Sequence, residues 1–281
     1  MLHEALSAEE LAAYLQRIGF DDEPRRDLAT LDRIVQAHVR MIPFENLDAQ
    51  LGRPLSTDPR AAFAKLVERR RGGWCYEHNG VLAAALRAIG FAVTRMSAGV
   101  MREVRGDAAM GSHLCLLVEC EGPRLVDAGF GSWIGAPLPL ETGTWVHDPL
   151  PVSLGTLEDG MWRLSATIGT TAMSYDFHAA PADEDLLSRM CHWQANDPAS
   201  VFVQNLTVQR RDAGQYLMLR GKVLSVVTAG GEERRELGSA DELAEALRDL
   251  FLLDVPEAVT LWPAIEARHE ALFGDQAAPT T

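Results

Sequence analysis

Three side chains in this sequence could together carry out nucleophilic chemistry: Cys75, His113 and Asp127, in that chain order. A thiolate attacks an electrophilic carbon, an imidazole beside it handles the proton, and a carboxylate on the other ring nitrogen fixes the tautomer. Cys75 follows Arg71-Gly72-Gly73-Trp74, where two glycines permit a tight turn that residues with a Cβ resist. From Val81 the chain reads VLAAALRAIG, an apolar helical run stopped by Gly90, so Cys75 falls in the first turn of a buried helix. The open N–H groups and positive dipole end of a helix start favour a thiolate there. The competing reading makes Cys75 one more small core residue, since free cysteine is often buried.

His113 opens the apolar run HLCLLVEC, which ends at the turn cluster Cys120-Glu121-Gly122-Pro123. Leu125-Val126-Asp127 then reads as a second strand that stops at Gly129 and Gly131. A hairpin turning near Cys120 or Glu121 brings Asp127 opposite or diagonal to His113 on one face, because strand side chains alternate. Aspartate in such a run is costly if buried unpaired, and a ring N–H from His113 removes that cost. His78, three residues after Cys75, is the alternative base. Its one neighbouring carboxylate, Glu77, points elsewhere, so His113 is preferred.

These groups need a scaffold. Ser7-Ala8-Glu9-Glu10 is a capping box before a stripe of Leu11, Tyr14, Leu15 and Ile18. A second helix starts near Asp27 or Thr30, carries a structural His38, and ends at Pro43. Thr57 as cap and Pro59 in the first turn open a third, which runs to Arg69-Arg70-Arg71. The Cys75 helix is the fourth, and the chain to about residue 90 is read as helical. Short strands joined by turns follow, a pattern of barrels or sandwiches. Then come a helix over 183–194, two or three strands, and helices over 239–252 and 256–273. The tail from Gln276 should be mobile.

The 281 residues are 47% hydrophobic and 23% charged, enough for sizeable cores and too many for a single small one. A formal net charge of −14 argues against nucleic-acid or anionic-membrane binding. No apolar run approaches the about 20 residues of a membrane span. The acidic, amphipathic start MLHEALSAEELAAYL does not read as a signal peptide, so four cysteines point to reduced thiols in a cytoplasmic protein. No C-x-x-C, H-E-x-x-H or phosphate-binding glycine motif occurs, so no metal is expected, and Cys115, Cys120 and Cys191 are read as packing residues.

RGGWCYEHNG around Cys75, then His113, then VDAGFG from Val126 resemble the arylamine N-acetyltransferases, which use acetyl-CoA. Tyr14-Leu15-Gln16-Arg17-Ile18-Gly19, IPFENLD from Ile42 and FVQNLTVQR from Phe202 match as well. The pairing of RGG-x-C with VD-x-GFG is the specific part. The resemblance implies an α+β fold with a cysteine-protease-like Cys-His-Asp core. A helical bundle would span 1–90, a β-barrel 91–195 and an α/β lid 196–281. It implies acetyl transfer from acetyl-CoA, as co-substrate, through a cysteine thioester to the nitrogen of an arylamine or arylhydrazine, N-hydroxyarylamines included, in ping-pong order. It places Phe44, Gly129 and Phe130 at the acceptor pocket, and pairs Arg71 with Glu45 to support the cysteine loop.

Coenzyme A is highly charged, so an acidic protein needs local basic surface, for which Arg210-Arg211, Arg220 and Lys222 are candidates. Tyr76 stands where phenylalanine is frequent in the family, which bears on acceptor preference. Three alternatives share these residues: an amide synthase closing a macrolactam, a cysteine peptidase or transglutaminase, and a non-enzymatic binding domain.

Overall fold

Ser7 accepts the Glu10 N–H while Glu10 accepts the Ser7 N–H, so the helix Ala8–Ile18 starts where its capping box predicts. Asp27 caps the helix Leu28–Met41 through the Thr30 N–H. In the computed structural model, which describes residues 5–147, 149–168 and 171–274, both helices pack against the helix Cys75–Ile89. Ile18, Leu31, Ile34, Val35, Leu82 and Leu86 meet there in one core. The tail expected to be mobile lies outside the described residues.

The third helix begins one residue later than its sequence suggests. Asp58, not Thr57, accepts the Arg60 N–H, and Pro59 sits at the first helical position. After Phe63 the chain widens into a π-helical turn, Ala64–Glu68, which carries the buried Lys65.

The first ninety residues are not wholly helical. Pro43 ends the second helix, and Phe44–Glu45 forms a two-residue strand antiparallel to Thr207–Asp212, with Phe44 opposite Gln209. This strand is the edge of a five-stranded sheet continued by Gln215–Arg220, Val223–Thr228 and Gly231–Glu236. The helices Ala240–Asp249 and Trp262–Phe273 cover that sheet through Leu243, Leu247, Trp262 and Ile265. The segment expected as a lid thus includes a strand from the N-terminal part.

The middle of the chain forms an eight-stranded antiparallel sheet. Its spatial order is Leu138–Pro139, Pro123–Val126, Met110–Glu119, Ala92–Val100, Thr171–Phe177, Trp162–Ile168, Leu150–Thr156 and Gly143–His147. Among the described residues the strands follow one another in this linear order, where the sequence pattern suggested a barrel or sandwich and the family resemblance a β-barrel. One edge is only two residues long and includes Pro139, which has no N–H to offer a further strand. The helix Glu184–Asn196 follows the sheet and packs Leu187 and Cys191 against Cys75 and Tyr76. None of the described helices is long and apolar enough to cross a membrane.

Candidate active site

Cys75 is the first residue of its helix, and Trp74 is the N-cap. The two glycines before it serve a different purpose from the one their sequence suggests. Neither adopts a positive φ. Their role is room: a Cβ on Gly72 would lie 2.3 Å from the Pro43 carbonyl oxygen, and one on Gly73 would lie 2.6 Å from Glu77 Oε2. The Gly73 carbonyl accepts the Glu45 N–H at 2.8 Å, so the cysteine turn is laced to the strand Phe44–Glu45.

His113 and Asp127 come from neighbouring strands. Leu116 pairs with Val126, which sets Asp127 one step beyond the ladder and diagonal to His113. His113 Nε2 lies 2.7 Å from Asp127 Oδ2. With Nε2 taken by Asp127, Nδ1 is the ring nitrogen left for another partner, and Cys75 is near enough to act on the imidazole. Burial alone would pull the imidazole pKa down. The charges of Asp127 and Cys75 and their hydrogen bonds outweigh it and push His113 up to about 10. Burial likewise works to raise Asp127, but His113, Asn79 and the Gly129 N–H together hold its carboxyl below the usual range. All three side chains are buried, in surroundings where such charges interact strongly.

His78 is not available as the base. Its Nδ1 bonds His38 Nε2 at 2.9 Å and its Nε2 meets the Pro43 carbonyl at 3.1 Å. Burial pushes it down to about 4, so it is neutral at physiological pH. His38 completes a buried chain to the Tyr14 hydroxyl at 2.8 Å. Cys115, Cys120 and Cys191 are unpaired and buried, and burial pushes each thiol up, away from the thiolate.

Arg71 and Glu45 do meet, at 3.0 Å, but they form part of a larger buried cluster. Arg71 also reaches Asp48 at 3.1 Å, and Lys65 touches Asp48 at 3.0 Å and Glu77 at 2.9 Å. Glu77 Oε2 in turn accepts the Trp74 N–H, so this cluster caps the cysteine helix. Sequence reasoning missed Lys65 and Asp48. A lysine within an apolar helical stripe was the available signal, because a buried cation requires anionic partners. It also missed Asn79, one turn after Cys75, whose amide bonds Asp127.

Phe130 packs edge-on against His113 with ring centroids 5.4 Å apart, and also contacts Trp133 and Tyr175. Phe44 stacks on His78 and tilts against Phe202. Gly129 donates its N–H to Asp127 Oδ1 at 2.8 Å. Most of the basic residues suggested for coenzyme A are otherwise engaged. Arg211 is buried and donates to the carbonyls of Ser132, Trp133 and His147. Arg210 donates to the Arg40 and Leu250 carbonyls, and Lys222 pairs with Glu236. Both arginines are buried because they brace strand and loop backbone. Among the described residues, no group of three or more His, Cys, Asp or Glu side chains could hold a metal ion.

A thiol at a helix start, an imidazole raised by a buried carboxylate, and aromatic walls beside the ring suit acyl transfer through a covalent intermediate. The family described as N-acetyltransferase matches residues 27–260. The arylamine N-acetyltransferase of Mycolicibacterium smegmatis is 38% identical over 256 residues, 88% of this chain and 93% of that protein. The structure of Mycobacterium marinum arylamine N-acetyltransferase in complex with CoA matches with a TM-score of 0.82 at 33% identity, over 92% of this chain and 97% of that one. The Salmonella typhimurium enzyme matches with the same TM-score at 27% identity, over 93% of this chain and 100% of that one.

Proposed function

The chain belongs to the arylamine N-acetyltransferase family, and on that premise we propose that Cys75, His113 and Asp127 carry its acetyl transfer. It is an acyltransferase that moves acetyl from acetyl-CoA to the nitrogen of an arylamine. Arylhydrazines and N-hydroxyarylamines are further acceptors in this reading. The observation that carries the assignment is His113 bonded to Asp127 at 2.7 Å, with Cys75, the first residue of its helix, acting on the same ring.

In the resting site Cys75 has given its proton to His113, and Asp127 holds the imidazolium. The thiolate attacks the acetyl carbonyl carbon. The carbon–sulfur bond to coenzyme A breaks, and the departing thiolate takes the imidazolium proton. In this reading, backbone N–H groups near Cys75, at the start of its helix, stabilise the oxyanion. In the second half-reaction an amine lone pair attacks the acetyl-cysteine. His113 takes the N–H proton and the cysteine thiolate leaves, which restores the starting pair. An arylamine nitrogen is uncharged at neutral pH and needs no prior deprotonation, and Phe130 and Phe44 offer ring surfaces for a flat acceptor.

Likeness to these relatives over nearly the whole chain favours this reading over the amide-synthase, peptidase and binding-domain alternatives. Steady-state kinetics with acetyl-CoA and an arylamine test it. Two half-reactions at one cysteine give parallel double-reciprocal lines. Intersecting lines, with both substrates bound together, contradict the covalent route.

A further inference from the structure

Asn79 is bonded to each of the chain segments that carry the three reacting groups. It lies one turn after Cys75 on the same helix. Its Nδ2 donates to Asp127 Oδ1 at 2.8 Å and to the carbonyl of Leu114, the neighbour of His113, at 2.6 Å. Its Oδ1 accepts the Ala128 N–H at 3.0 Å. The partners fix which way the amide points. Reversed, it would set an oxygen against two acceptors and an NH₂ group against a donor.

We propose that Asn79 is a positioning residue for the acetyl transfer: it occupies Oδ1 of Asp127, so that the carboxylate turns Oδ2 to His113 and directs Nδ1 of that ring to Cys75. This rests on the triad reading and adds the side chain that sets its alignment. Asp127 Oδ1 accepts from Asn79 and from the Gly129 N–H, and Oδ2 accepts from His113. Each of these bonds is donated to the carboxylate, so a protonated Asp127 would lose part of what it now accepts. The titratable groups acting on or near Asp127 are His113 and Cys115 from the adjoining strand, Cys75 and His78 from the helix, and Tyr175 from Thr171–Phe177. The hydrogen bond from Asn79 is among the causes that hold the Asp127 carboxyl pKa down.

Alkylation of Cys75 by iodoacetamide reads the aligned pair without any substrate. It is followed against pH in wild type, Asn79→Ala and the isosteric Asn79→Asp, with melting temperature and near-UV circular dichroism for each. In Asn79→Ala the carboxylate loses a donor; in Asn79→Asp two carboxyl groups must share a proton. The rate at neutral pH should fall about tenfold or more in each folded variant. The pH midpoint for the reactive form should move up by about one unit. A side chain that only supports the fold would lower the melting temperature and leave that midpoint in place. A folded variant with wild-type rate and midpoint overturns the proposal, as does loss of fold in both variants, which would make Asn79 a structural residue first. The wild-type arm separates the two claims: an enzyme still active after Cys75 is alkylated sinks the nucleophile assignment, not the role of Asn79.

Discussion

Gly129 lies directly against the backbone of Cys75: a Cβ added at 129 would stand 2.5 Å from the Cys75 Cα and 2.8 Å from Asn79 Nδ2. The end of the Asp127 strand is thereby pressed onto the first turn of the cysteine helix. Two elements far apart in sequence, each carrying part of the site, meet here backbone to backbone. Gly129 has no positive φ, so its requirement is space alone.

Gly129→Ala should therefore push the Asp127 strand off the helix. Overpacking of this kind typically costs about 1–3 kcal/mol of stability. Misplacing the reacting groups by about 1 Å would cost on the order of 10²-fold in kcat/KM. Kinetics and a thermal melt on one preparation check both. A folded variant with near-normal kcat/KM would mean that the strand end does not set the alignment.

Asp127→Asn keeps the shape of the side chain and removes its charge. The new amide has only one acceptor oxygen for Asn79, Gly129 and His113, so His113 is freed to take the wrong tautomer. By analogy with serine triads, the loss in kcat is on the order of 10⁴. Retained circular dichroism alongside that loss supports the assigned role; activity within about tenfold of wild type would leave Asp127 as packing.

Lys65 shares the buried carboxylates beneath the cysteine turn with Arg71, lying 2.9 Å from Glu77, 3.0 Å from Asp48 and 3.9 Å from Glu45. Burial works to lower its pKa, but the three acids outweigh that and raise it. Lys65→Met is similar in volume; Arg71 still pairs with Glu45 and Asp48, but buried Glu77 loses its cation, at a cost of about 3–5 kcal/mol. Urea unfolding measures it. A change below about 1 kcal/mol would place the cluster in the class of weak surface pairs.

Stability should peak near the ordinary histidine pKa and fall on both sides. His113 is raised from 6.5 to about 10, so its contribution is complete below 6.5 and is lost as pH climbs through 10. His78 and His147 are lowered to about 4, so theirs is present above 6.5 and is lost as pH drops toward 4. Urea midpoints at acid, neutral and alkaline pH should show the alkaline fall flattened in His113→Asn and the acid fall flattened in His78→Gln. Unchanged slopes in both variants would contradict these protonation states.

The pairing of His113 with Asp127 is legible in the sequence because a hairpin with a marked turn fixes which residues share a face. The helix starts at Ala8 and Leu28 are equally legible, since their caps are local. The strand Phe44–Glu45 is not, because its partner Thr207–Asp212 is remote in the chain and two residues carry no periodicity. Neither is the linear strand order of the eight-stranded sheet, which depends on how far each ladder extends rather than on any one motif. Asn79 is hidden for a related reason: an asparagine in an apolar helix reads as a blemish until its distant acceptors are in view. The arginines at 210 and 211 mislead because charge suggests a surface role, while their guanidinium groups brace backbone carbonyls.

An acetyl group residing on one sulfur is the central claim of this mechanism. Wild-type enzyme incubated with acetyl-CoA and no acceptor, quenched in acid and analysed by intact-protein and peptide mass spectrometry, should carry a single acetyl group on Cys75. Adding an arylamine should discharge it, and Cys75→Ser should acquire none. A folded wild-type enzyme that turns over yet shows no adduct at Cys75, or a Cys75→Ser variant that still transfers acetyl, would contradict it.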